Sequence, residues 1–251
     1  MGHSVTYVFC HGMPGSIDDA HLLRAANPTA SIVALDLLKV SPAASEEGLL
    51  SEFDRITADA SGKTVHLIGF SIGAMVAIKL TARRPDRVSG MTLVSPAAPL
   101  SLGDFLPDTA GRVVFELARN RPWALSLLTR VQGILVRTAP NRLVKGLFAK
   151  CGPRERELLR SEHFRDIVIM GMKASFVDHP QSYLTFVKEY VHDWQGDIPD
   201  VICPVHLWHG TRDTWAPPSM AQALEKAFAA PVTMTWIEQG EHYSTLNDVV
   251  L

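Results

Sequence analysis

A glycine-flanked stretch at residues 69–73, Gly-Phe-Ser-Ile-Gly, constrains the fold of this chain more than any other feature. It follows an apolar, β-branched run at residues 64–68 and leads into a pattern typical of a helix at residues 74–80. A serine on so tight a reversal from strand to helix takes a strained backbone conformation, and the glycines on either side let the helix pack closely on the strand. We therefore predict that the hydroxyl of Ser71 stands clear of the end of a sheet.

Strand-like runs alternate with helical patterns through most of the chain. This alternation predicts parallel strands joined by right-handed crossovers, with ligands bound outside the carboxyl ends of the strands. The predicted fold class is α/β, with an open, mostly parallel sheet of about six strands. The predicted strands are residues 5–10, 31–36, 64–70, 88–94, 201–208 and 232–237, and the helices between them are 16–26, 44–60, 74–80 and 218–228.

The alternation is interrupted between residues 99 and 196, where no strand pattern is present. We predict that this stretch is a helical cap insertion, that residues 1–98 form the first part of the core and that residues 197–251 form the second. Residues 101–197 hold 14 basic and 11 acidic side chains, a small excess that we assign to solvated helix faces. The predicted helices of the insertion are residues 109–120, 122–137, 140–150, 153–175 and 180–194.

Composition limits the partners and the compartment. A formal net charge of -2 and a pI near 6.5 favour neither nucleic acid nor an anionic membrane as a partner. The chain has no run of eighteen apolar residues, and its first residues do not resemble a signal peptide. We expect a cytoplasmic protein with a small-molecule substrate.

Three scattered cysteines, Cys10, Cys151 and Cys203, suit neither a disulfide framework nor a zinc site, so they indicate a reducing compartment. Glycine-rich phosphate loops of the dinucleotide and P-loop types are absent from the sequence. We expect no metal and no organic cofactor.

A serine hydroxyl needs a base within hydrogen-bond reach and an acceptor behind that base. Three histidines, His11, His209 and His242, follow predicted strands at their carboxyl ends. The first two directly precede glycine, where a side chain usually supports a turn. His242 follows the last strand, in a loop free to reach the serine, and is the favoured base.

The acid should lie near the same edge of the sheet. Asp213 lies five residues past the end of a predicted strand and is favoured over its rivals Asp36, Asp86, Asp178 and Asp200. Asp86 belongs to a link at the opposite end of the sheet, and Asp36 follows a strand that we expect to be distant.

The order of these motifs resembles that of the α/β-hydrolase superfamily. The glycine-flanked serine comes first, then Asp213 within His-Gly-Thr-Arg-Asp, then His242 after Gly-Glu, and residues 11–15, His-Gly-Met-Pro-Gly, resemble the family's oxyanion loop. The resemblance covers nearly all of the chain outside residues 99–196, where many members carry a helical cap.

The resemblance implies a catalytic role for each of these positions. Ser71 would be the nucleophile, His242 the general base and acid, and Asp213 the residue that orients His242. The backbone amides of Met13 and Ile72 would form the oxyanion hole. One departure is that the family's usual sheet has two more strands ahead of the oxyanion-loop strand, which implies a reduced sheet with residues 31–36 at an edge.

The implied activity is that of a serine hydrolase. It would cleave a carboxylic ester, lactone or thioester of a small, largely apolar substrate through an acyl-enzyme. One alternative is a carbon–carbon bond hydrolase or lyase that uses the same residues. Another is a ligand-binding receptor built on a hydrolase scaffold. The sequence assigns no substrate-binding residue and no oligomeric state.

Overall fold

The computed structural model describes residues 5–40, 46–58 and 64–251. Its strands are β1 (Val5–Cys10), β2 (Ser31–Leu35), β3 (Thr64–Phe70), β4 (Val88–Val94), β5 (Val205–Gly210) and β6 (Val232–Ile237).

These six strands form one sheet in the order β2-β1-β3-β4-β5-β6, and every neighbouring pair is parallel. The predicted fold class and strand number are confirmed. The strand β2 lies at an edge, as the sequence predicts, while β3 and β4 lie at the centre and are almost wholly buried. The serine at residue 71 therefore follows one of the most enclosed strands of the sheet.

Five helices connect or follow these strands: α1 (Ala20–Ala26), α2 (Glu46–Ile56), α3 (Gly73–Arg83), α10 (Pro218–Ala227) and α11 (His242–Asp248), with α4–α9 described below. A short 3-10 turn, Ile17–Asp19, precedes α1, and the hydroxyl of Ser16 accepts a hydrogen bond from the N–H of Asp18, as expected of a capping serine. Of the helix predicted at 44–60, residues 44–45 and 59–60 lie outside the described residues.

Six further helices lie between β4 and β5 in the chain. They are α4 (Arg112–Asn120), α5 (Pro122–Thr138), α6 (Pro140–Leu147), α7 (Pro153–Leu158), α8 (Glu162–Lys173) and α9 (Pro180–Val191). We call residues 99–196 the helical insertion. Four of its helices begin at a proline, which lacks the N–H that the first turn leaves unpaired.

Two predicted boundaries are wrong. The single helix predicted at 153–175 is divided into α7 and α8, because the hydroxyl of Ser161 caps a new helix by accepting from the N–H of Phe164. The strand predicted at 201–208 begins only at Val205, because Pro204 has no N–H to donate, whereas the N–H of Val205 bonds to the carbonyl of Pro231.

Within the described ranges, none of the helices combines the length and apolar character needed to cross a membrane.

Candidate active site

Ser71 lies on the turn between β3 and α3 with a φ of 57°, a left-handed conformation that is strained for a serine. Its N–H bonds to the carbonyl of Val94 at 3.1 Å, which ties the turn to the neighbouring strand. A β-carbon on Gly69 would lie 2.7 Å from the α-carbon of Ala74, and one on Gly73 would collide with the carbonyl of Cys10. Only glycine therefore permits these two close backbone approaches.

Residues 11–16 follow β1 and lie beside this turn. The imidazole of His11 is fully buried and accepts a hydrogen bond from the N–H of Leu37, so it supports the loop as the sequence predicts for a histidine before glycine. A β-carbon built on Gly12 would lie 3.1 Å from that of Ser71. The N–H groups of Met13 and Ile72 donate no hydrogen bond to any other described residue. Both residues line the same cavity as Ser71, so this end of the sheet holds two free backbone donors.

The structure brings two of the predicted side chains, His242 and Asp213, into direct contact. Nδ1 of His242 donates to Oδ2 of Asp213 at 2.8 Å, and both side chains are buried. His242 is the first residue of α11. Its carbonyl accepts a hydrogen bond from the hydroxyl of Ser95, which follows β4.

Asp213 also accepts two backbone hydrogen bonds. Its Oδ1 bonds to the N–H groups of Trp215 at 2.8 Å and Ala216 at 2.9 Å. Burial alone would raise the pKa of the Asp213 carboxyl. The charge and hydrogen bond of His242 and the Ala216 N–H together hold that pKa below its usual value. Asp213 is therefore ionised at neutral pH.

His209 lies nearby but has a different role. Its Nε2 donates to the carbonyl of Ala216 at 2.9 Å and lies 3.8 Å from Oδ2 of Asp213. Burial lowers the pKa of His209 despite the nearby carboxylate, so its ring is neutral at pH 7. It supports the turn that holds Asp213, as the sequence predicts.

Ser71 makes no hydrogen bond to the His242–Asp213 pair. In the part of the chain that the structure describes, the Ser71 hydroxyl has no hydrogen-bond partner. The rings of Phe70 and His242 are 4.8 Å apart, and the indole of Trp215 stacks on His242 at 6.1 Å while lining the same cavity as Ser71. The imidazole therefore packs against Phe70, which precedes Ser71 in the chain, and against Trp215, which lines the cavity of Ser71.

Two glutamates next to His242 were not identified from the sequence. Oε1 of Glu155, on α7, accepts from the N–H of Tyr243 at 2.6 Å, and Glu241 accepts from the N–H groups of Gly152 and Arg154. Burial raises the pKa of Glu155 to about 7, against the lowering effect of the His242 charge and the Tyr243 N–H. These bonds fasten the histidine segment to the helical insertion, and no pattern around residue 155 indicates such a contact.

The same region contains the one group of side chains, among the described residues, with the spacing of a metal site. Ligand atoms of Cys151, Glu155 and Glu241 lie within 4.8 Å of one another. Both carboxylates already accept backbone hydrogen bonds, and burial raises the pKa of the Cys151 thiol, which disfavours the thiolate that binds metals. The chemistry of these donors does not fit a metal ion.

A cavity of about 260 Å³ opens above Ser71 between the sheet and the helical insertion. The residues that line it from the insertion are largely apolar and include Val114, Phe115, Phe176, Tyr183, Val187 and Tyr190. The insertion is held close to the loop at residues 11–16, because the hydroxyl of Ser175 both donates to the carbonyl of Gly15 and accepts from its N–H. One wall of the cavity therefore comes from the sheet and its loops, and the other comes from the helical insertion.

The sequence matches the profile of the alpha/beta hydrolase family over residues 7–249. No curated protein matches it.

Solved structures of similar fold share little sequence with this chain. An esterase from Thermogutta terrifontis is 17% identical with a TM-score of 0.61, over 98% of this chain and 85% of the other. The bromoperoxidase from Bacillus anthracis is 16% identical with a TM-score of 0.63, over 98% and 87%. MenH from S. aureus is 13% identical with a TM-score of 0.64, over 99% and 90%. Because these proteins carry different names, the likeness supports the fold and does not select a reaction.

Proposed function

Because the chain belongs to the alpha/beta hydrolase family, we propose that it is a serine hydrolase acting on a carboxylic ester, lactone or thioester through an acyl-enzyme on Ser71. The substrate is small and largely apolar. Ser71 attacks the carbonyl carbon, and the leaving group departs with a proton from His242. Water then attacks the acyl carbon and gives a proton to His242, the bond from that carbon to the Ser71 oxygen breaks, and His242 returns the proton to Ser71 as the acid leaves.

The observation that carries this proposal is the position of Ser71. The residue has a φ of 57° at the end of a central strand, and it lines a cavity that Trp215 and Phe176 also line. A strained serine conformation is retained only where the surrounding structure enforces it, and such residues concentrate at sites of chemistry.

His242 is the proposed base, and Asp213 orients it. The 2.8 Å bond to Asp213 fixes the proton on Nδ1, which leaves Nε2 free to accept the proton of Ser71. The bond between serine and histidine is absent in the free enzyme, and such catalytic bonds often shorten only when substrate is bound.

The amides of Met13 and Ile72 are the proposed oxyanion hole. Both are free of other described partners, which is the state needed to receive a negative oxygen. Loss of one such donor costs about 3 kcal/mol of transition-state stabilisation.

The helical insertion, residues 99–196, is the proposed cap, set between core parts at residues 1–98 and 197–251. Its apolar lining favours substrates with little charge. A cytoplasmic location is proposed too, since Cys10, Cys151 and Cys203 are all free, buried thiols.

Turnover of a panel of p-nitrophenyl esters of differing chain length tests this function. We expect release of p-nitrophenol by the wild type and a loss of at least about 10³-fold in Ser71→Ala. The matched control is Ser51→Ala, which changes an exposed serine on α2 and should retain full activity. Equal turnover by Ser71→Ala and the wild type would overturn the proposal.

A further inference from the structure

One polar side chain in the lining of the cavity above Ser71, that of Gln132, is buried and has no hydrogen-bond partner among the described residues. Gln132 lies on α5, is 8% exposed and lines the cavity. Its amide makes no hydrogen bond to any described residue, and its Oε1 atom is completely buried. Buried amides are nearly always paired, because an unpaired one has lost its bonds to water without replacement.

The backbone holds Gln132 firmly in this position. Its neighbour Gly133 lies so close to the π-helical turn Ala174–Asp178 that an added β-carbon would be 2.8 Å from the carbonyl oxygen of Phe176. The helix α5 and this turn are therefore in backbone contact beside the cavity, and Phe176 lines the cavity with Gln132. The backbone beside Gln132 is therefore held in place, and its side chain is buried and not part of the exposed surface.

The surroundings of Gln132 restrict what it can bind. Among the described residues that line the cavity, Lys150 is the one charged side chain, and it is exposed. A buried ionic group on a ligand would therefore lack a partner of opposite charge. A side-chain amide offers both a hydrogen-bond acceptor and two donors, which suits a neutral hydroxyl or amide group.

We propose that Gln132 is a specificity-determining residue that binds a neutral hydrogen-bonding group of the substrate, remote from the bond that is cleaved. The inference rests on the proposed function and narrows it. The favoured substrates are apolar chains that carry a hydroxyl or amide group. This group reaches the Gln132 amide when the scissile carbonyl lies at Ser71. An unsubstituted chain leaves the Gln132 amide unpaired and is the poorer substrate.

Matched pairs of esters test this inference. The pairs are p-nitrophenyl hexanoate, octanoate and decanoate, each beside the analogue in which a terminal hydroxyl replaces the terminal methyl. For at least one chain length, we expect wild-type kcat/KM to be higher for the hydroxyl analogue. In Gln132→Leu we expect the ratio of hydroxyl to methyl kcat/KM to fall about tenfold, mainly through KM.

The control is Thr129→Val, on the same buried face of α5. The Thr129 hydroxyl bonds to the carbonyl of Leu125 and does not line the cavity, so the ratio should be unchanged in this variant. If Gln132→Leu does not fold, Gln132→Met provides an unbranched apolar side chain of similar volume. A ratio that is the same in the wild type and the folded Gln132 variant overturns the inference.

A measurement of binding tests the role of Gln132 independently of the proposed hydrolase activity. If the wild type cleaves none of the esters, the proposed function fails, and calorimetry with non-hydrolysable methyl ketones bearing the same two chain ends takes the place of turnover. The role of Gln132 is supported, without the hydrolase activity, if the wild type binds the hydroxyl ketone more tightly than the methyl one and the Gln132 variant does not. Equal preferences in the two proteins reject it.

Discussion

Asp213 remains ionised in a buried position because its two oxygens accept hydrogen bonds from His242, Trp215 and Ala216. In Asp213→Asn the side-chain carbonyl can still accept the two backbone bonds, so the turn should fold. The side-chain NH₂ would face Nδ1 of His242, however, and would hold the imidazole in the tautomer that cannot accept a proton from serine.

We therefore expect Asp213→Asn to lower kcat for a p-nitrophenyl ester by about 10³- to 10⁴-fold, with little change in thermal stability. The control is Asp86→Asn, an exposed carboxylate at the opposite end of the sheet, which should behave as the wild type. An Asn variant with wild-type kcat would show that His242 does not need this partner.

Glu155 makes stability depend on pH. Burial raises its pKa from 4.5 to about 7, so between these values the folded protein holds a proton that the unfolded chain has released. The free energy of unfolding should therefore fall as pH rises from about 4.5 to 7, by about 3 kcal/mol from this group.

Glu155→Gln retains the acceptor for the N–H of Tyr243 but cannot ionise. Urea unfolding at pH 5 and pH 8 should show that the stability of the variant relative to the wild type increases at the higher pH. Other titrating groups are common to both proteins and cancel in the comparison. A relative stability that does not change with pH would contradict the assigned pKa.

The helix α8 and the loop after β1 are in backbone contact. A β-carbon on Gly171 would lie 2.9 Å from the α-carbon of Gly15 and 3.1 Å from its carbonyl carbon, so the backbone must move to admit it. The same loop carries Met13. We expect Gly171→Ala to destabilise the protein by about 1–3 kcal/mol and to lower kcat by about 10- to 100-fold through displacement of the loop.

Gly146 on α6 is the matched control for stability. A β-carbon there meets nothing within 4 Å, so Gly146→Ala should stabilise the protein by about 0.5–1 kcal/mol. Urea unfolding of both variants checks the stabilities, and ester turnover by Gly171→Ala checks the effect on the loop. Full activity in a folded Gly171→Ala would mean that α8 does not position Met13.

The elements of the sheet were predictable because each strand carries its own local pattern. The turn at Ser71 was predictable too, since the close approaches of Gly69 and Gly73 leave glycine as the residue that fits. The division of α7 from α8 was missed, because Ser161 caps a helix inside a continuous helical pattern. The contact of Glu155 with Tyr243 was missed because it joins residues 88 positions apart.

Charge is distributed unevenly along the chain. Residues 109–154 hold nine basic side chains and one acidic, a net of +8, so the rest of the chain carries -10 of the total of -2. Of these nine, only Arg112 and Arg154 form ion pairs with described residues. The average over residues 101–197, 14 basic and 11 acidic side chains, does not show this concentration.

This distribution predicts that the protein binds a cation exchanger at pH 7 and low ionic strength despite its net negative charge. The triple variant Arg119→Gln, Arg130→Gln, Arg137→Gln should lose this retention. The control Lys39→Gln, Lys173→Gln, Lys226→Gln has the same net charge and should keep it, because its exposed lysines lie outside residues 109–154. Equal elution of the two variants would mean that net charge alone governs binding.

The overall architecture and the positions of Ser71, Asp213 and His242 were predictable because strand ends in a parallel sheet meet at one edge. The cavity was not, because its lining depends on how the helices of the insertion pack on the core. Gln132 has the same spacing in the sequence as any buried helix residue. That its Oε1 atom has no hydrogen-bond partner can be recognised only from the structure.

The proposed reaction requires that Ser71 act as the nucleophile with His242 as its base. Treatment of the folded protein with a fluorophosphonate, followed by peptide mass spectrometry, measures this directly. We predict one phosphonyl group per chain on Ser71, and a rate of labelling that falls sharply in His242→Ala. An unmodified Ser71 in folded protein, or modification at another residue, would show that Ser71 is not the nucleophile.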